Sequence, residues 1–239
     1  MSTIDRMIRT VLPVVAVAVL LPACQAVPQP PPGDAQSRPA DPGDLHLPEG
    51  RTYRVSREDS ELRIVLFPAG PLARFGHPHV IGGAVIDGTV VLAEDPGDSG
   101  LHLEVDVQAL QVDLPEWRVV EGFDAELAQS DIDDTRRNML SEQVLDARAH
   151  PVVVIESTGW HGPVWQPDMD VRITLRGVAR EVTVPVALEV MPGRLTATGR
   201  FLIRQSDFGI EPFSAAGGRL QVADDLLIRF RIRAAVEPP

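Results

Sequence analysis

From Arg51 onward, apolar and polar residues alternate with a period of two. Leu101, Leu103, Val105 and Val107 take turns with His102, Glu104 and Asp106. Val171, Ile173 and Leu175 alternate with Arg172 and Thr174, and Ile228, Phe230 and Ile232 with Arg229 and Arg231. Successive side chains of a strand point to opposite faces, so this pattern predicts strands with one dry and one wet face. Turn signals interrupt it at Asp87-Gly88, 95–100, Gly162-Pro163, Pro192-Gly193 and Gly217-Gly218. The predicted strands are 51–56, 60–68, 79–93 with a bend at Asp87-Gly88, 100–111, 151–160, 169–176, 179–190, 194–204 and 219–234. One helix is expected over 131–146. Ser130 and Asp133 have capping-box spacing, Ile132, Met139, Leu140 and Val144 fall at helical intervals, and His150-Pro151 stops the run. Many antiparallel strands in about 190 residues give a sandwich or a barrel. Closure removes exposed strand edges and favours an all-β barrel of about eight strands.

The first residues carry a different pattern. Arg6 and Arg9 precede an unbroken apolar run at 11–21, followed by Leu21-Pro22-Ala23-Cys24. That run is too short to span a bilayer, which takes about 20 residues, and reads as a secretory signal over 1–23. The chain's single Cys, Cys24, stands at the expected cleavage point and resembles the lipidated Cys of bacterial lipoproteins. Gln25 in the next position favours the outer membrane over retention at the inner one. The expected location is therefore the cell envelope, with the chain lipid-anchored and facing the periplasm. Residues 24–49 are rich in Pro and lack apolar periodicity, so they read as a tether. Its reach is about 25 Å as a coil and about 70 Å extended.

Composition removes several function classes. The formal charge is −12, and all 22 basic residues are Arg. Without Lys there is no Schiff-base or phosphate-loop lysine. An acidic chain lacks the basic footprint that a nucleic-acid partner requires. One Cys provides neither an internal disulfide nor a thiolate zinc site. Gly97-Asp98-Ser99-Gly100 matches the tetrapeptide around a serine-protease nucleophile, but no His and Asp context accompanies it, and a hairpin turn explains it. Asp131, Asp133 and Asp134 lack the Gly and Glu of a calcium loop and suit the first turn of a helix. His77 and His79 are the most suggestive polar pair. Two residues apart on a strand, they would share a side, open to a metal, a ligand headgroup or a plain structural role.

The order of several short motifs resembles the YceI-like family of bacterial polyisoprenoid-binding proteins. The resemblance runs through Tyr53-Arg54-Val55, Ser60-Glu61-Leu62, Asp146 and His150-Pro151, the stretch 173–186 (ITLRGVAREVTVPV) and Arg204 to Ile210. It assigns residues 50–237 to one domain. It implies a lipocalin-like, extended antiparallel barrel that binds an isoprenoid or similar long-chain amphiphile in an internal pore, without enzymatic activity and without a cofactor. Phe67, Phe75, Phe201, Phe208 and Phe213 are then the expected large residues around the ligand, with His77 and His79 at the mouth. Phe201 shares a parity with Leu195 and Ile203 and should point inward, whereas Phe67 alternates with Leu66 and could face out. Arg204 and Asp207 could pair. The apolar inward positions fit either a ligand tunnel or a core filled by side chains. A His-based metal or redox module and a filled envelope scaffold remain the alternative readings.

Overall fold

A computed structural model describes residues 47–123, 126–215 and 217–236. The signal, Cys24 and nearly all of the tether lie outside the described residues. Fourteen strands and two α-helices follow in chain order: β1 Arg51–Val55, β2 Glu61–Leu66, β3 Pro68–Ala69, β4 His79–Gly83, β5 Ile86–Leu92, β6 Gly100–Asp106, β7 Gln111–Val112, α1 Pro115–Val120, α2 Gln129–Leu140, β8 Val152–His161, β9 Asp168–Leu175, β10 Val178–Met191, β11 Arg194–Arg204, β12 Ser214–Ala215, β13 Leu220–Val222 and β14 Asp225–Val236. The main sheet is antiparallel throughout and closes where β14 meets both β1 and β2. β1 and β2 form one path around the barrel, and β4 and β5 another. With the short β7 set aside, eight strand paths remain, a closed lipocalin-like barrel.

The alternation read in the sequence sets which face turns inward. Along β9, Met169, Val171, Ile173 and Leu175 are buried while the residues between them are partly exposed. β11 and β14 pair over their whole length, from Arg194 opposite Ala235 to Arg204 opposite Asp225. The strand path 79–93, expected to bend at Asp87-Gly88, breaks instead at Ala84-Val85, beside Gly83 at φ 144°. Gly88 still marks a close approach. It sits at φ 138°, and a Cβ there would stand 2.2 Å from the His102 carbonyl oxygen. The expected strand 219–234 divides: β13 joins a small separate sheet with β12 and β3, and β14 starts at Asp225.

The two ends of the barrel are unlike. β2, β6, β9 and β11 finish at one end, where the long connections 67–78, 107–151 and 205–224 lie. The other end has the short connections 93–99, 162–167 and 192–193, together with the first and last strand residues, Arg51 and Val236. Helix α2 closes part of the first end. Its Met139 is buried, Ile132 and Leu140 pack on the core, and Arg136 donates to the carbonyls of Leu110 and Gln108.

The helix differs from expectation at both termini. Ala128 holds the cap position without a side-chain hydrogen bond, and Ser130 lies inside the first turn, so the capping box is not made. The helix stops at Leu140. Ser141 is extended, and its hydroxyl and N–H both donate to the Asn138 carbonyl. A tight turn follows through Asp146 at φ 44°, and Val144 and Leu145 swing against the cavity instead of continuing the helix. Helix α1 was not foreseen from the pattern. Pro115 opens it, and it is only six residues long, too short for a periodicity to register.

Candidate functional site

The barrel is hollow. A cavity of about 220 Å³ runs among inward side chains of both core clusters, from Leu110, Met139 and Phe208 at the end with long connections to Trp160, Pro167 and Leu195 near the other. Its surface is wholly apolar. Gln205 in the lining is buried and donates its amide to the Ala223 carbonyl.

The walls differ in how tightly they pack. On β9 and β10, Met169, Ile173, Val182 and Val184 are fully buried. On β2, β11 and β14, Ile64, Phe201, Ile203, Leu226 and Phe230 face the interior yet are only partly buried, beside the buried Leu62, Leu195 and Ile228. All five line the cavity. The rings of Phe201 and Phe230 meet edge to face at 6.3 Å. Gly199 makes room for Phe230, since a Cβ there would come within 2.6 Å of that ring and of the Pro185 carbonyl oxygen.

Two of the five expected phenylalanines lie in this lining, Phe201 and Phe208, the latter 2% exposed. The other three do not. Phe67 follows the end of β2 and turns outward, where its ring meets Phe123 edge-on at 6.0 Å. Phe75, in the 3-10 turn Ala73–Phe75, is 66% exposed, and Phe213 is also exposed. All three sit in connections, where strand parity gives no direction.

His77 and His79 are neighbours but do not share a strand, because β4 begins at His79. Their rings stand edge to face at 4.8 Å. His79 belongs to a buried charged knot that sequence reading missed. Its Nδ1 lies 2.5 Å from Asp113 Oδ2, and Asp113 Oδ1 accepts from the Val80 N–H and from Arg118 Nη1, both at 2.9 Å. Arg118 Nη1 also donates to the Pro78 carbonyl at 2.8 Å. Asp113 is 1% exposed at φ 53°, and Arg118 is buried. Burial alone would push the Asp113 carboxyl up. The hydrogen bonds from His79 and Val80, the nearby His79 charge and Arg118 outweigh it and hold the group below the usual carboxylate range. An ionised carboxylate only accepts, so the His79 Nδ1–H is the donor. His77 is shifted down, chiefly because burial disfavours its charged form, with His79 and Arg118 adding repulsion. Among the described residues, no three of His, Cys, Asp and Glu gather where they could hold one metal ion.

Nearby, Glu121 just past α1 bridges Arg63 and Arg229, at 3.7 and 3.3 Å. Those two Arg stand directly opposite each other on β2 and β14, a like-charge pair that the carboxylate neutralises. Arg204 and Asp207 pair at 3.2 Å. Ser99 serves its turn, its hydroxyl accepting from the Ala93 N–H.

A family model for the YceI-like domain matches residues 53–234. The chain belongs to the YceI-like family. Among solved structures, this YceI-like barrel is similar to Burkholderia cenocepacia BcnA, with TM-score 0.57 and 16% identity over 76% of this chain and 99% of that one. It is also similar to a polyisoprenoid binding domain from Saccharophagus degradans implicated in plant cell wall breakdown, with TM-score 0.54 and 13% identity over 80% of this chain and 100% of that one. At those identities the likeness is one of fold, and it extends over nearly the whole of both solved chains. No curated protein matches the chain in sequence.

Proposed function

We propose that this YceI-like barrel binds a long apolar chain, an isoprenoid or similar amphiphile, as a lipid-anchored protein of the cell envelope. The observation that carries the reading is the hollow wall, where Ile64, Phe201, Leu226 and Phe230 face inward yet remain partly uncovered. Burying apolar surface gains about 25 cal/mol per Å², and a cavity with no polar atom on its surface favours hydrocarbon over water. The same surface offers no acid, base or nucleophile, so the reading is one of binding, storage or transport rather than catalysis. A similar fold described as polyisoprenoid-binding supports it.

Trp160 lines the cavity and reports on it. Titration with a long-chain isoprenol should change the tryptophan emission saturably, and Trp160→Phe should remove the change. An emission unaffected by the isoprenol overturns the reading.

The anchor rests on Cys24 at the end of the apolar run. Two or three acyl chains hold a protein on a bilayer where one does so only marginally. With Gln25 next in the chain, the reading places the protein on the outer membrane, facing the periplasm. Cys24→Ser should release the protein from membranes or leave its signal uncleaved. A processed variant that still fractionates with membranes as wild type does would contradict the anchor and leave the barrel's role untouched.

A further inference from the structure

The end of the barrel with long connections carries an apolar rim. Phe67, Phe75 and Phe213 are exposed there, as are Val119 and Val120 of α1. The small sheet ties two of the segments together: the Ala223 N–H donates to the Phe67 carbonyl, the Val222 N–H to the Phe213 carbonyl, and Gln221 pairs with Ala69. Phe123, three residues beyond Val120, packs on Phe67. A cluster of this kind on a water-soluble surface marks a binding site.

Charge identifies the partner. The chain has 34 acids, yet residues 67–78 and 212–223 contain none and carry Arg74 and Arg219. Both Arg are exposed, and among the described residues neither pairs with a carboxylate. Arg74 stacks over Phe75 at 4.6 Å from the ring centre. Of the acids that flank the rim, Asp224 is taken up by the Ser206 N–H and hydroxyl and Glu121 by Arg63 and Arg229, while Glu116 of α1 and Glu211 remain exposed at its edge. Aromatic rings beside long cationic side chains suit a bilayer interface, where the ring enters the headgroup boundary and the guanidinium stays with the phosphates.

Position supplies the purpose. Leu66, next to Phe67, lines the cavity, and so do Phe208 and Leu226, a few residues before and after the segment 212–223. We infer that this rim docks on an anionic lipid bilayer, through Phe67, Phe75 and Phe213 with Arg74 and Arg219, and turns the cavity's end toward the membrane that holds its ligand. Delivery of that ligand rests on the chain-binding reading; the docking does not, and its test uses vesicles free of isoprenoid.

Residues 47–239, which hold the complete barrel without signal or lipid, should sediment with phosphatidylglycerol vesicles and less with phosphatidylcholine ones. The double variant Phe75→Ser/Phe213→Ser should weaken partitioning about tenfold or more, and Arg74→Glu/Arg219→Glu should remove the preference for the anionic vesicles. Both pairs are exposed, so an unchanged melting transition verifies the fold. Val190→Ser/Met191→Ser, exposed at the opposite end, should leave binding unchanged. Wild type that ignores both vesicles, or an equal loss from the opposite-end pair, overturns the proposal. So does wild type that instead dimerises in light scattering through the same phenylalanines, which would make the rim a contact between copies of this chain.

Discussion

Two buried regions of this barrel solve opposite problems. The interior is a cavity with apolar walls, and its Phe201 and Phe230 are only partly buried. The knot at the start of β4 is charged and fully packed, with Asp113 bonded to His79, Val80 and Arg118. A buried charge stripped of its partner is costly, so the knot is intolerant of single changes. An apolar void carries no such debt of hydrogen bonds; it only forgoes contacts, and a guest can supply them. The knot fixes the connection 113–118 against β4, while the void stays available. The knot and the cavity stand a few residues apart, since Ile81 of the same strand lines the cavity.

The largest effect should come from the knot. Asp113→Asn leaves Arg118 buried without its carboxylate and should cost about 3–5 kcal/mol in urea unfolding. The sign with pH follows from the lowered folded-state pKa of Asp113. Its contribution is full above the unfolded carboxylate value, about 3.9, and disappears as pH falls through the lower folded value. The variant should therefore lose part of wild type's acid destabilisation. An Asn variant as stable as wild type would place the knot with the tolerant regions and erase the contrast.

Gly199→Ala comes next. The added Cβ meets Phe230 and a backbone oxygen at 2.6 Å, so the ring must shift toward the void. Overpacking of this kind costs about 1–3 kcal/mol. The variant should also bind a shorter or scarcer chain, read by mass spectrometry of extracted lipid. Phe201→Ala sharpens the comparison from the other side. A closely packed Phe loses about 3–5 kcal/mol on truncation. Phe201 already borders empty space, so its loss should be about 1–2 kcal/mol, accompanied by altered ligand content. A full loss would mean that the wall is packed after all.

The smallest effect concerns His77. Burial lowers its pKa, so between that value and about 6.5 the unfolded chain holds more protons, and stability falls as pH drops through this window. His77→Asn should remove that slope and leave stability at pH 8 nearly unchanged. A steeper slope in the variant would reverse the assignment.

The sequence made one half of this contrast legible. Alternation along 169–175 and 194–204 gave strands, inward faces and, for Phe201, a direction, because parity is strict inside a strand. The family motifs at 173–186 and 204–210 gave the barrel. Parity could not say whether inward residues touch each other, since the packed β9 and the hollow β11 carry the same pattern. It also failed in connections, where Phe67, Phe75 and Phe213 point by local turns. The knot left no pattern at all. Asp113 lies 34 residues from His79 and five from Arg118, and only folding brings the three together.

The account turns on the cavity taking an apolar guest. Lipid extracted from the natively purified protein and analysed by mass spectrometry tests it most directly. The hollow wall predicts about one equivalent of a long-chain isoprenoid or similar amphiphile per barrel, reduced in Gly199→Ala. A wild-type barrel that yields no lipid, together with a Phe201→Ala loss of about 3–5 kcal/mol, would contradict it.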